Sequence, residues 1–460
     1  MSEFVFPPMA KDRGVGYWLR AANLWAARRK MLRLDFSNEW RYSFGLPEPP
    51  DRSMPFSALL PPEQSDPNDL RFIILGDTGE GDRSQYATLP LIRTLKPDFM
   101  IINGDIAYPA GRINESAGGG QRDDYLCGFF EPYRDLNCPI WAVPGNHEYY
   151  PDHNGREFHE IFCTRKYAKR WEEDYGLRLV PQPGTFWELS EPDTTNGLVV
   201  IGLDTGKTAN LDGTHRWWQV WKRREEPDHR QHDWLTERLE LAARERHRVI
   251  IMFHIPGLVC AEHEASTHLT EIHRIIARYD CVRLVVSAHE HSFQSYEPQV
   301  FRRYLEEKHK PAILAAQSPH YFVSGRGGAY LSATDFGTGR YPTSIRHPSG
   351  EQYRELATVA RRAVDALGLA KTLLGMAVAR IEKSAIGGLA DDDAVKYLSL
   401  ILVEVRNFRR LNTQIVVTPV FLDDLEELFA DLPPGTPVNV QSAPAPIDKV
   451  RRCLQPPLIL

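Results

Sequence analysis

The sequence predicts an α/β fold, and two observations carry that reading. Between residues 70 and 340 one pattern recurs, an apolar run that stops at glycine or a polar residue: LRFIILGD, DFMIINGD, PIWAVPGN, LVVIGLDT, RVIIMFH and VRLVVSAH. Runs of Val, Ile and Leu that do not alternate with polar residues imply strands buried on both faces, beneath helices or a second sheet. The second observation is that amphipathic segments, at 84–95, 232–246 and 267–279, lie between the runs. Strand, helix, strand is the rhythm of a layered α/β domain, which gathers ligands at the carboxyl ends of its strands.

Ahead of this core, residues 1–69 read as an N-terminal extension whose proline-rich segment, 47–67, is an extended linker. Within it Tyr17, Trp18, Ala21, Leu24, Trp25, Met31 and Leu32 share one helical face, while Arg20, Arg29, Lys30 and Arg33 make the remainder basic. Such a helix suits peripheral contact with an anionic membrane, or docking on the neighbouring domain. The catalytic core spans 70–340, and 341–395 is a helical insertion, with 351–383 as one long helix or two, interrupted near Gly368 and Gly375. KYLSLILVEV from Lys396 and TQIVVTPVF from Thr413 form a β-hairpin, 396–422, that returns to complete the core. A small separate C-terminal domain is the competing arrangement. The tail, 423–460, contains LPPGTPVNVQSAPAPIDK, too rich in proline for regular structure.

Composition narrows the function classes. A chain of 460 residues with 42% hydrophobic and 25% charged residues can bury a large interior and is ordinary for a soluble protein. A formal net charge of -6 gives no reason to expect a specific nucleic-acid partner. Cys127, Cys138, Cys163, Cys260, Cys281 and Cys453 are scattered without CxxC pairing, which argues against a zinc ribbon or a disulfide framework and fits a reducing compartment. The first residues, MSEFVFPPMAKDRG, lack the features of a secretory signal, and no apolar run reaches the length of a membrane span. The expected location is the cytoplasm.

Five short segments set oxygen or nitrogen donors at predicted strand ends: GDTG from Gly76, GDIAY from Gly104, GNHE from Gly145, His254, and His289-Glu290-His291. Aspartate, asparagine, histidine and tyrosine are hard or borderline donors suited to iron, manganese or zinc. Asp77 alone would pass for a turn residue. Asp105, with Tyr108 three residues on, offers a carboxylate able to bridge two ions beside a phenolate. Asn146 supplies a carbonyl oxygen without added charge, and His147 beside it can act as an acid. His254 follows RVIIMF, so its ring emerges at a strand end. In an extended segment His289 and His291 share one face, so one histidine can serve each metal. Together these donors specify a site for two metal ions.

At this point the chain resembles the purple acid phosphatases, a branch of the calcineurin-like metallophosphoesterases, whose five blocks read GDxG, GDxxY, GNHE, VxxH and GHxH. The resemblance implies a two-sheet β-sandwich flanked by helices. It implies that Asp77, Tyr108 and His291 hold a ferric ion, that Asn146, His254 and His289 hold Fe(II), Zn or Mn, and that Asp105 bridges them. His147 and His263, the latter in CAEHEAST, stand in the family's place for catalytic groups at the substrate. Ile251 replaces the valine of VxxH and Ala288 the first glycine of GHxH. Gly79 occupies the position where the wider superfamily commonly carries a histidine ligand, so Tyr108 must substitute.

The chemistry so implied is hydrolysis of phosphate monoesters by a metal-bound hydroxide, with His147 or His263 protonating the departing alkoxide. Two alternatives stand beside it: a phosphodiesterase acting on cyclic nucleotides or lipid head groups, and a metal-stabilised, membrane-associated scaffold. The loops at 107–125 and 215–224, the second reading HRWWQVWKRR, are the candidate substrate-selecting segments.

Overall fold

The computed structural model describes residues 3–8, 10, 52–60, 69–79, 81–109, 111–113, 123–149, 155–192, 194–206, 228–259, 267–329, 344–346, 398–408 and 413–460. Two sheets pack face to face. The six-stranded sheet runs in the order β16 (Leu458–Ile459), β14 (Gln414–Leu422), β13 (Leu398–Arg406), β3 (Asp69–Leu75), β4 (Phe99–Asn103), β5 (Ile140–Val143). The eight-stranded sheet runs β12 (Ser344–Arg346), β10 (Phe293–Tyr296), β11 (His320–Ser324), β9 (Val282–Ser287), β8 (Arg248–Phe253), β7 (Leu198–Leu203), β6 (Trp187–Ser190), β2 (Ser53–Met54). Each has a parallel centre, β3–β4–β5 in one and β7–β8–β9–β11 in the other.

Burial on both faces accounts for the uninterrupted apolar runs. Phe72 and Ile74 of β3, with Phe99 and Ile101 of β4, meet Ile250 and Met252 of β8 and Leu284 and Val286 of β9 inside the sandwich. The alternate residues, Ile73, Leu75, Met100 and Ile102, pack outward under the helix Leu89–Leu95. On the other outer face Val249, Ile251 and Phe253 pack beneath the helices His229–Arg244 and Thr267–Ile276. The segment expected to be one helix over 84–95 is two, Arg83–Tyr86 and Leu89–Leu95, with Pro90 in the first turn of the second.

The returning hairpin is β13 and β14, antiparallel over nine registered pairs, and β13 lies against β3 at the centre of its sheet. Two expectations need correction. Segment 47–67 is not only a linker: Ser53–Met54 pairs with β6, and Phe56, Leu59 and Leu60 are buried between the sheets. The prolines concealed an apolar quartet, Met54, Phe56, Leu59 and Leu60. Nor is the tail irregular. It forms the helices Leu425–Leu428 and Ile447–Cys453, β15 (Pro437–Asn439), which pairs with β1 (Glu3–Val5), and β16. Its prolines sit at the ends of these short elements, where no ladder or helical N–H is lost.

Within the stretch read as a helical insertion, Ser344–Arg346 is a strand paired with β10. The rest of 347–395 lies outside the described residues, as do the basic helix at 17–33 and the loop at 215–224. The five cysteines among the described residues form no disulfide with one another. No helix among the described residues is long and apolar enough to cross a membrane.

Candidate metal centre

The parallel centres of both sheets end at one place. Asp77 follows β3, Asp105 follows β4, Asn146 and His147 follow β5, His254 follows β8, and His289 and His291 follow β9. Asn103 joins the two sheets there, its side-chain amide donating to the carbonyls of Phe253 and Val286, both at 3.2 Å. Asp77, Asp105 and His289 adopt left-handed backbone conformations, with φ of 51°, 51° and 69°. This is an uncommon region for a side-chain-bearing residue and is concentrated at functional sites. The flanking glycines leave room for the donors. A Cβ at Gly104 would lie 2.4 Å from the His254 ring, and one at Gly145 would lie 2.2 Å from Asp105 Oδ1.

Two groups of donors share one oxygen. The Tyr108 hydroxyl lies 3.0 Å from Asp77 Oδ1, 3.2 Å from Asp105 Oδ2 and 3.3 Å from His291 Nε2, and His291 Nε2 is 3.2 Å from Asp77 Oδ1. On the other side His254 Nε2 lies 3.2 Å from Asn146 Oδ1 and 3.3 Å from the same Asp105 Oδ2. Donor atoms of Asp105, His254 and His289 fall within 4.8 Å of one another. Ligands bound to one cation at about 2.0–2.2 Å stand roughly 3 Å apart, so both groups are spaced to fit an ion. The second Asp105 oxygen, Oδ1, accepts the His147 N–H at 2.9 Å, which holds the carboxylate with Oδ2 between the groups. His254 Nδ1 faces the Asn103 carbonyl at 2.9 Å, which directs Nε2 inward.

The charge balance points the same way. Asp77 and Asp105 are buried, and among the described residues their ion-pair partners are histidines, with no lysine or arginine. Burial alone would raise the Asp105 carboxyl, but the positive rings of His254 and His147 outweigh it and hold the group far below the usual carboxylate range. Burial likewise lowers His254, yet the charges of Asp105 and Asp77 push it up to about 9. Two buried carboxylates without a fixed cationic side chain create a field that divalent or trivalent cations satisfy.

Glu148 received no role from its sequence, although it lies inside GNHE. Its carboxylate accepts the N–H groups of Asp105 (2.9 Å), Ile106 (2.9 Å), Ala107 (3.2 Å) and Gly145 (2.7 Å), pinning two donor-bearing loops to each other. Burial and then the Asp105 charge push this carboxyl up to about 7, while the N–H groups of Ile106 and Gly145 pull it down. Its position beside Asn146 and His147 was the available signal. His147 Nδ1 lies 2.7 Å from the Pro109 carbonyl, its Nε2 is 3.8 Å from Asp105 Oδ2, and its ring centroid is 4.2 Å from that of Tyr108. His263 lies outside the described residues. Ala288 is tolerated because the left-handed residue of that turn is His289, and Ala288 Cβ fills the space that Gly76 leaves open.

A family profile described as Calcineurin-like phosphoesterase matches residues 70–293. The manganese-dependent ADP-ribose/CDP-alcohol diphosphatase of Arabidopsis thaliana is 23% identical over 230 residues, which cover 48% of this chain and 65% of that protein. A purple acid phosphatase from yellow lupin (Lupinus luteus) seeds aligns with a TM-score of 0.42 at 11% identity, over 77% of this chain and 51% of that one. A dimetal phosphatase from Danio rerio aligns with a TM-score of 0.34 at 15% identity, over 56% of this chain and 87% of that one.

Proposed function

We propose that this chain, whose residues 70–293 match the calcineurin-like phosphoesterase profile, hydrolyses phosphate monoesters at a centre of two metal ions. The observation that carries the proposal is the placement of Asp105 Oδ2, 3.2 Å from the Tyr108 hydroxyl and 3.3 Å from His254 Nε2. Asp77, Tyr108 and His291 would hold one ion, Asn146, His254 and His289 the other, and Asp105 both. Two such cations, when bound, supply the Lewis acidity that neutralises phosphate oxygens and activates water.

The remaining work falls to the chain. The Pro109 carbonyl accepts a hydrogen bond from His147 Nδ1–H, which leaves Nε2 on the side facing Asp105. Carrying a proton there, His147 donates it to the departing alkoxide. His263 is proposed as a second such group on the family resemblance alone. The burial of Asp77, Tyr108, Asp105, Asn146 and His254 keeps bulk water from the donors.

Tyr108 sets the metal preference. A phenolate beside two carboxylates favours a trivalent ion, so we propose Fe(III) in the Asp77–Tyr108–His291 group, with Fe(II), Zn or Mn in the other. Iron-loaded protein should show a visible tyrosinate-to-iron absorption that disappears completely in Tyr108→Phe. Colourless, active, iron-loaded protein would refute the ferric assignment and leave the hydrolase reading in place.

A second reading, cleavage of a diphosphate or phosphodiester, is favoured by the name of the plant relative. Initial rates on p-nitrophenyl phosphate, bis(p-nitrophenyl) phosphate and ADP-ribose separate the two. Monoester turnover fastest is the expected result. Turnover of ADP-ribose without turnover of the monoester would replace the first reading by the second.

A further inference from the structure

Asp204 lies one residue beyond β7, fully buried, and its Oδ2 accepts a hydrogen bond from the Tyr149 hydroxyl at 2.5 Å. Tyr149 closes the short turn His147–Tyr149 that carries the proposed proton donor. We propose that Asp204, acting through Tyr149, is a positioning residue that fixes His147 for proton delivery to the leaving group. The inference rests on the reading of His147 as that donor.

Asp204 is itself held firmly. Its N–H donates to Gln231 Oε1 at 2.8 Å, its carbonyl accepts from Gln231 Nε2 at 3.2 Å, and His268 Nε2 lies 3.3 Å from the same carbonyl. The Gln231 amide therefore pairs with residue 204 as a neighbouring strand would. Gln231 is in turn fixed at the start of its helix, where its N–H donates to Asp228 Oδ1 at 3.1 Å. The next two residues meet the site from both sides. Thr205 Oγ1 accepts the N–H of Ile255, the residue after His254, at 3.0 Å. At position 206 a Cβ would stand 2.4 Å from the Gly145 carbonyl oxygen and 2.7 Å from that of Pro144, so only glycine lets the segment lie against the β5 loop.

Segment 204–206 thus forms a strut from the eight-stranded sheet to the loop that carries Asn146 and His147. The His147 ring is steered at Nδ1 by Pro109 and its backbone by Asp105 Oδ1, but both of those contacts come from the β4 loop. Tyr149 to Asp204 supplies the anchor from the opposite sheet. Burying a carboxylate is costly unless its hydrogen bonds are of good quality, so an acid at this depth needs a partner as well placed as the tyrosine hydroxyl.

The step it serves is a proton transfer. As the phosphorus–oxygen bond to the leaving group breaks, its electron pair stays on oxygen and takes the proton from His147 Nε2. The attacking water forms the new phosphorus–oxygen bond and releases a proton to solvent, which balances the transfer. An alkoxide needs this proton; p-nitrophenolate leaves without it.

The test is the ratio of kcat on p-nitrophenyl phosphate to kcat on ethyl phosphate, measured on metal-loaded protein with its metal content checked. For Tyr149→Phe the ratio should rise by about tenfold or more, since a displacement of roughly 1 Å can cost about a hundredfold in a positioned step. Asp204→Asn should move it in the same direction, and His147→Ala should move it furthest, by up to about 10²–10⁴. If Tyr149→Phe and Asp204→Asn slow both esters equally, or neither, while His147→Ala shifts the ratio, the positioning role is wrong. If His147→Ala leaves the ratio unchanged, the reading of His147 falls first and takes the inference with it.

Discussion

Asp105→Asn is expected to strip the protein of both metal ions and to reduce hydrolysis by about 10³-fold or more, because each ion supplies several kcal/mol to the transition state. The substitution is nearly isosteric, and asparagine tolerates the left-handed backbone at φ 51°, so the fold should persist. The site should not. The His147 N–H requires an acceptor at Oδ1, which turns the new amide nitrogen toward the Oδ2 position, between Tyr108 and His254. A donor then stands where both ions need an acceptor. Groups that only support metal ligands are worth about 10–100-fold in affinity, and a shared ligand should exceed that. His147→Ala is the matched control: it should keep both ions and lose about 10²–10⁴ in rate on alkyl esters. Elemental analysis after gel filtration separates the cases. Equal metal loss in the two variants would contradict the division of roles.

The second large effect concerns acid. Burial pushes His159 and His309 down to about 4 and holds His273 well below its ordinary value, so all three are neutral in the folded chain at mildly acidic pH. His309 Nε2 lies 3.2 Å from His273 Nδ1 and 2.9 Å from the Tyr304 hydroxyl, a network that accommodates neutral rings. The unfolded chain takes up protons on these rings below about pH 6.5, whereas the folded chain does not until about 4. Their contribution is therefore complete above pH 6.5 and lost as the pH falls toward 4. Each of the two shifts to about 4 corresponds to roughly 3 kcal/mol, and the whole stability of a protein is typically about 5–15 kcal/mol. The midpoint of thermal unfolding should fall steadily from pH 7 to pH 4.5, and hydrolysis should fail in acid through unfolding. A flat midpoint over that range would contradict the account.

The donor set was the most legible part of the chain, for a physical reason. Each candidate donor lies within a few residues of the end of a buried parallel strand, so the apolar run and the donor sit close in sequence, as with RVIIMF and His254. What was not legible depends on which loops meet. Glu148 clamps the β4 loop to the β5 loop, and Asp204 reaches Tyr149 across sheets; neither pairing leaves a local pattern. The proline-rich segments are hard to read because proline is depleted from the interiors of helices and strands yet common at their ends. In 52–60 and 433–457 the prolines punctuate short elements whose apolar residues, Phe56, Leu59, Val438 and Val450 among them, are buried. The left-handed φ of His289 was equally hidden, since no glycine or asparagine marks that turn.

On the proposed reading Asp105 would hold both cations, which places them next to each other. X-ray absorption fine structure on the protein reconstituted with iron or manganese tests it directly. A metal–metal scattering shell at about 3.5–4 Å, absent from Asp105→Asn, is the predicted result. A single metal environment of nitrogen and oxygen ligands with no metal neighbour in the fully loaded wild-type protein would contradict it.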